Sequence, residues 1–169
     1  MEAESLDQRV GTIPPTVKLG TYENARELRD ELVAKKIHLD RFTSFALNEG
    51  IPIARQTIEF GTLRCTIANL GFSRGGYFKE VYHHFLNLGG IQFYPAEFAM
   101  LLRLNYLDQP VGERLWVLTE SVRSSGHKGR LSLDHDRHEG LSICGHIGPD
   151  QIPLGPQEEI VIPVVHRRN

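Results

Sequence analysis

A chain of 169 residues with 40% apolar and 24% charged side chains can close one hydrophobic core, and it is too apolar to stay disordered. The formal net charge of −2 removes the simple electrostatic argument for nucleic-acid binding, which is disfavoured without being excluded. Two cysteines, Cys65 and Cys144, are too few for a secreted disulfide scaffold. No apolar run has a membrane-spanning length, and the polar start over residues 1–8 lacks a signal-peptide pattern. The expectation is a cytoplasmic protein with two reduced thiols and no membrane partner.

In chain order, residues 1–20 read as a flexible N-terminal tail, because Pro14-Pro15 favours extended backbone and nothing earlier has a period. Residues 21–166 read as a single domain. Thr21 is a plausible N-cap for a helix whose inner stripe is Ala25, Leu28 and Leu32. Asp40 caps a second helix carrying Phe42, Phe45 and Ala46, which Gly50 and Pro52 stop. Over residues 57–69 the period changes to two, with a phase shift at Gly61 that predicts a bulged strand or a tight hairpin. After a glycine-rich connection over 70–76, a third helix presents Phe78, Val81, Tyr82, Phe85 and Leu88 and stops at Gly89-Gly90. Pro95 suits the first turn of a short further helix reaching Leu102.

The remainder reads as strands over residues 113–122, 130–136, 141–146 and 159–165, separated by turn residues. Pro163 places the last of them at an edge or a bulge. The pattern is α+β: three short helices packed on a small, mostly antiparallel C-terminal sheet. The predicted core is Leu28, Leu32, Phe45, Ile58, Leu63, Phe78, Val81, Phe85, Leu102, Leu115, Val117, Leu131, Ile143 and Ile162.

Four pieces in fixed order are distinctive: Tyr22-Glu23-Asn24-Ala25, Leu70-Gly71-Phe72, Pro95-Ala96-Glu97, and Leu102-Arg103-Leu104 with Tyr106, Asp108-Gln109-Pro110 and Gly112-Glu113. Over residues 21–145 the chain resembles a family of small uncharacterised bacterial proteins of unknown function. That resemblance implies a free-standing α+β protein and no particular chemistry. The chain is more basic than the family after Glu113, with Arg114, Arg123, Lys128, Arg130 and Arg137, and its His166-Arg167-Arg168 tail is basic too.

Three constellations could carry chemistry. Glu97, Arg103, Tyr106, Asp108 and Gln109 mix two acids, a forked donor, a phenol and an amide, which suits a polar binding pocket. The same residues also make a good turn with a simple ion pair. Asp134, Asp136 and His138, with His146 on the next strand, offer a possible set of transition-metal ligands for a metal-assisted hydrolase or nuclease, although their spacing matches no established signature. Glu80 with His83 has a di-metal spacing, but both lie on the solvated face of their helix. The glycine-rich loop before the third helix lacks the phosphate-loop lysine, and neither cysteine has a nucleophile signature.

No catalytic set outweighs its structural alternative. The expectation is therefore a non-catalytic binding or interaction module without a cofactor. Its partner would be another protein or a small polar ligand, met by the surface over residues 97–113.

Overall fold

The computed structural model describes residues 13–89, 94–148 and 150–165. The chain runs β1 (Thr16–Leu19), α1 (Ala25–Ala34), β2 (His38–Leu39), α2 (Arg41–Glu49), β3 (Ile58–Thr66), a 3-10 turn (Ala68–Leu70) and β4 (Gly76–Tyr77). It continues with α3 (Phe78–Gly89), α4 (Glu97–Asn105), β5 (Arg114–Val117), β6 (Val122–Ser124), β7 (His127–Asp136), β8 (Gly140–Ile147), β9 (Pro153–Leu154) and β10 (Glu159–Val165).

Local chemistry starts and stops the helices. Asn24, not Thr21, caps α1: its Oδ1 accepts from the backbone of Arg26 and Glu27, both at 3.0 Å, while Glu27 reaches back to the amide of Glu23. Asp40 caps α2 through the amide of Thr43 at 2.8 Å, and Gly50 ends it at φ 95°. Glu80 of α3 accepts from the amide of Tyr77 at 2.8 Å, so the protein's own carboxylate occupies the helix start after the glycine-rich loop.

Among the described residues there are four helices and an eight-stranded mixed sheet curled into a half-barrel, with β4 and β9 as a separate pair. The strand order is β1-β3-β10-β5-β7-β8-β2, with β6 pairing β7. This corrects the expected architecture of three helices on a small C-terminal sheet. Two strands from the first half of the sequence, β1 and β3, build one side of the sheet, and residues 97–105 form a full fourth helix. Local periodicity cannot report such long-range pairing, because partners such as Phe60 and Val165 are far apart in sequence. Of the expected tail, residues 1–12 lie outside the described residues, and β1 pairs antiparallel with β3.

The pairing between β3 and β10 runs from Phe60 to Thr66, so β10 lies inside the sheet despite Pro163. Its parallel pairing with β5 covers only Glu159 to Val161. Beyond that point no strand among the described residues pairs with β10 on that side, which is where a residue without an N–H fits.

Both faces of the sheet are covered, giving two cores. Leu115, Val117, Leu131, Leu133, Ile143 and Val161 pack with α1, α2 and α4 on one face. On the other, Trp116, Leu118, Ile160 and Ile162 pack with Phe78, Val81 and Tyr82 of α3 and with Leu154 of β9. Phe42 of α2 lies directly over two strand glycines. A Cβ on Gly145 would collide with the Phe42 ring, and one on Gly129 would come within 2.7 Å of it.

Most of the expected core is buried, but Phe45, Ile58 and Leu63 are 41%, 44% and 48% exposed. Phe45 instead stands beside Arg41, whose guanidinium lies 5.6 Å from its ring centroid. No helix among the described residues is long and apolar enough to cross a membrane.

Candidate functional site

The residues expected to form a polar binding surface are mostly interior. Glu97, at the start of α4, is fully buried and accepts from the amides of Gly20 at 2.7 Å and Ala54 at 2.8 Å. It ties the end of β1 and the loop before β3 to α4, and it makes no ion pair with Arg103. Arg103, also fully buried, donates to the Gln109 side-chain oxygen at 2.5 Å and to the Tyr106 carbonyl. Burial lowers its pKa to about 10. Gln109 in turn donates to the Leu133 carbonyl at 2.8 Å, and His135 Nδ1 donates to the Gln109 carbonyl at 2.5 Å. Asp108 is exposed in the following turn.

Tyr106 connects this interior chain to an ion cluster. Its hydroxyl donates to Glu113 at 2.8 Å and accepts from Arg64 at 3.0 Å. Arg64 also binds both Glu113 and Glu159. Burial opposes the Arg64 charge, but the two glutamates outweigh it and raise its pKa. Burial, and then the bond to Glu113, push the Tyr106 phenol well above its ordinary range. The motif therefore locks α4 to β3, β5 and β10. The side chains are polar because they replace water for one another inside the protein.

The hairpin residues separate into two groups. Asp136 is exposed at the β7–β8 turn and accepts from the amides of His138 at 2.7 Å and Glu139 at 3.2 Å, a turn-capping role. His138 is exposed beside it. Asp134 and His146 lie apart from that turn and are bridged by Ser132. Among the described residues, no group of three or more His, Cys, Asp or Glu side chains is placed to hold a metal ion.

A different constellation stands on the sheet face that α3 covers only in part. Register places Arg114 opposite Asp134, Trp116 opposite Ser132, Ser132 opposite Cys144, and Arg130 opposite His146. Alternation along β7 puts Arg130, Ser132 and Asp134 on this face and Leu131, Leu133 and His135 on the other. Arg114 donates from Nε at 2.9 Å and from Nη2 at 2.7 Å to Asp134 Oδ2. Buried Ser132 holds Asp134 Oδ1 at 2.6 Å and His146 Nε2 at 2.8 Å. The His146 ring lies 4.5 Å from Trp116, whose Nε1 donates to Glu158 at 3.0 Å.

Of these side chains, Arg114, Trp116, His146 and Glu158 line an open groove of about 520 Å³ with Gln151, Ile152 and Pro153. The bond to Asp134 raises the Arg114 pKa. Burial, and then the Arg114 charge, lower that of His146, which favours neutral imidazole. Burial likewise raises the thiol pKa of nearby Cys144, which makes it a poor nucleophile.

Sequence reading found Asp134 and His146 and missed Ser132, Trp116, Gln151 and Glu158. The available signal was the polar alternation Arg130-Ser132-Asp134 in a strand whose other side is apolar. Compared with known protein families, with curated proteins and with solved structures, the chain matches none.

Proposed function

We propose that the protein is a non-catalytic binding module for a small polar molecule, seated in the groove between Arg114, His146 and Glu158 and held by an anionic group on Arg114. The observation that carries this reading is the state of Arg114. Its side chain is half exposed in the groove, Asp134 fixes it through Nε and Nη2, and its Nη1 has no hydrogen-bond partner among the described residues. A guanidinium oriented by one carboxylate and open at another nitrogen is preorganised to receive a carboxylate or phosphate. Neutral His146 and Gln151 add polar groups beside it, and the apolar edges of Ile152 and Pro153 supply contact area.

The surface over residues 97–113 has less to offer a partner, since four of its five candidate side chains are buried in bonds within the protein. The test is a thermal-shift and calorimetric panel of short carboxylates, inorganic phosphate and phosphate monoesters. A ligand at a hundred times its Kd stabilises the folded protein by about 2.7 kcal/mol, roughly 5–10 °C for a domain of this size. Arg114→Gln should abolish the shift while unfolding cooperatively near the parent temperature. An Arg114→Gln protein that keeps the shift, or a panel in which no anion binds, would overturn the reading.

A further inference from the structure

The hydrogen bonds around Ser132 fix more than position. A serine hydroxyl has one proton and here has two partners, Asp134 Oδ1 at 2.6 Å and His146 Nε2 at 2.8 Å. Asp134 is already the acceptor for two Arg114 N–H groups, and a carboxylate can only accept from the hydroxyl. The serine proton therefore goes to Asp134, and the serine oxygen accepts from His146 Nε2–H. Neutral His146 is then the Nε2–H tautomer, which leaves Nδ1 as a bare lone pair. Nδ1 has no partner among the described residues.

The charges of the groove complete the argument. Arg114 and Asp134 offset one another, and Glu158 adds a further negative charge beside Trp116. An anion alone would satisfy Arg114 and meet the Glu158 carboxylate, which accepts from Trp116 Nε1 and the amide of Gly155 but has no ion-pair partner among the described residues. A ligand that also carries a positive donor answers both.

We propose that the groove takes a zwitterionic small molecule, with its carboxylate or phosphate on Arg114 Nη1 and its ammonium on the bare Nδ1 of His146, near Glu158. Ser132 is a positioning residue in this arrangement: it holds the tautomer that makes Nδ1 an acceptor. The inference rests on the binding reading above and adds the ligand's second group.

Two measurements on the intact protein test it. Two-bond ¹⁵N–¹H spectra of histidine-labelled protein report the tautomer directly, with Nε2–H expected for His146 in the parent and a mixture in Ser132→Ala. An Nδ1–H parent overturns the proposal. Titrations then compare glycine, β-alanine and 4-aminobutanoate with acetate, propanoate and butanoate, and phosphoethanolamine with ethyl phosphate. At least one amino compound should bind tenfold or more tightly than its partner lacking nitrogen, and Ser132→Ala should shrink that ratio, which is taken between two ligands on the same variant and so needs no unchanged anion affinity. Carboxylates that bind as well as their amino partners would sink the zwitterion proposal and leave the anion site standing. Failure of every probe would remove both.

Discussion

Replacing Glu97 by Gln isolates what a buried carboxylate does at the start of α4. The side chain is fully buried, and each oxygen accepts one amide, from Gly20 at 2.7 Å and from Ala54 at 2.8 Å. Glutamine keeps the volume but has one acceptor for two donors, and its NH₂ group would face the other amide N–H. One charge-assisted bond is lost, the other becomes neutral, and a buried donor is left unpaired, which together cost about 2–4 kcal/mol. Against a usual total of roughly 5–15 kcal/mol that is a large fraction. At about 3 °C per kcal/mol for a chain of this length, Tm should fall by roughly 6–12 °C. Circular dichroism melting and a urea titration at neutral pH measure the loss, and hydrogen exchange at Gly20 and Ala54 should accelerate more than at the β7–β8 amides. A Tm within about 2 °C of the parent would refute the argument that Glu97 clamps β1 and the 50–57 loop to α4.

Arg103→Glu should destroy cooperative unfolding, read by the same melts, because it puts an unpaired negative charge at a fully buried site and strips Gln109 and the Tyr106 carbonyl of their donor. Gly145→Ala should cost about 1–3 kcal/mol in urea titrations through overlap with Phe42, and Phe42→Leu in the same chain should recover part of that loss. For His146, burial and Arg114 lower the folded pKa below the ordinary value of 6.5, so the unfolded chain binds the proton more readily. Stability from this residue is complete above pH 6.5 and falls as pH drops toward the folded pKa. The surrounding charges are Arg114 on β5, Asp134 on β7, Asp40 at the start of α2 and Glu158 before β10. Tm of the parent should therefore decline between pH 7 and pH 5 more steeply than that of His146→Gln. Parallel profiles would show that the imidazole does not drive the decline.

The parts of the fold set by neighbouring residues were legible in the sequence. Asp40 and Gly50 mark the two ends of α2, Leu28 and Leu32 mark the inner face of α1, and the alternation Leu131-Leu133 orients β7. Size and composition of the sheet were not legible, because they depend on which strands meet. Isolated β-patterns such as residues 58–66 do not name their partners, and Ile58 and Leu63 stay exposed although Phe60 and Ile67, later in the same alternations, are buried. Within the site, Asp134 and His146 stood out by residue type, while Ser132 became meaningful only once β8 was laid beside β7 in register.

The same limit explains why the densest polar motif pointed inward. Arginine has at least three environments in this fold that spacing alone cannot distinguish. Arg103 is enclosed among neutral acceptors, and burial weakens its hold on the proton. Arg64 is anchored by two glutamates and a tyrosine, so its charge is spent inside the protein. Arg114 alone of the three combines a fixed orientation, a charge raised in stability by Asp134, and an open nitrogen on a solvent-facing groove. A buried ion cluster resists exchange with an outside ligand, because any newcomer must replace bonds already made in a low-dielectric setting. An oriented guanidinium at a groove has water to displace and little else. That difference in what must be broken is why the proposed recognition rests on Arg114 and not on the motif around Arg103.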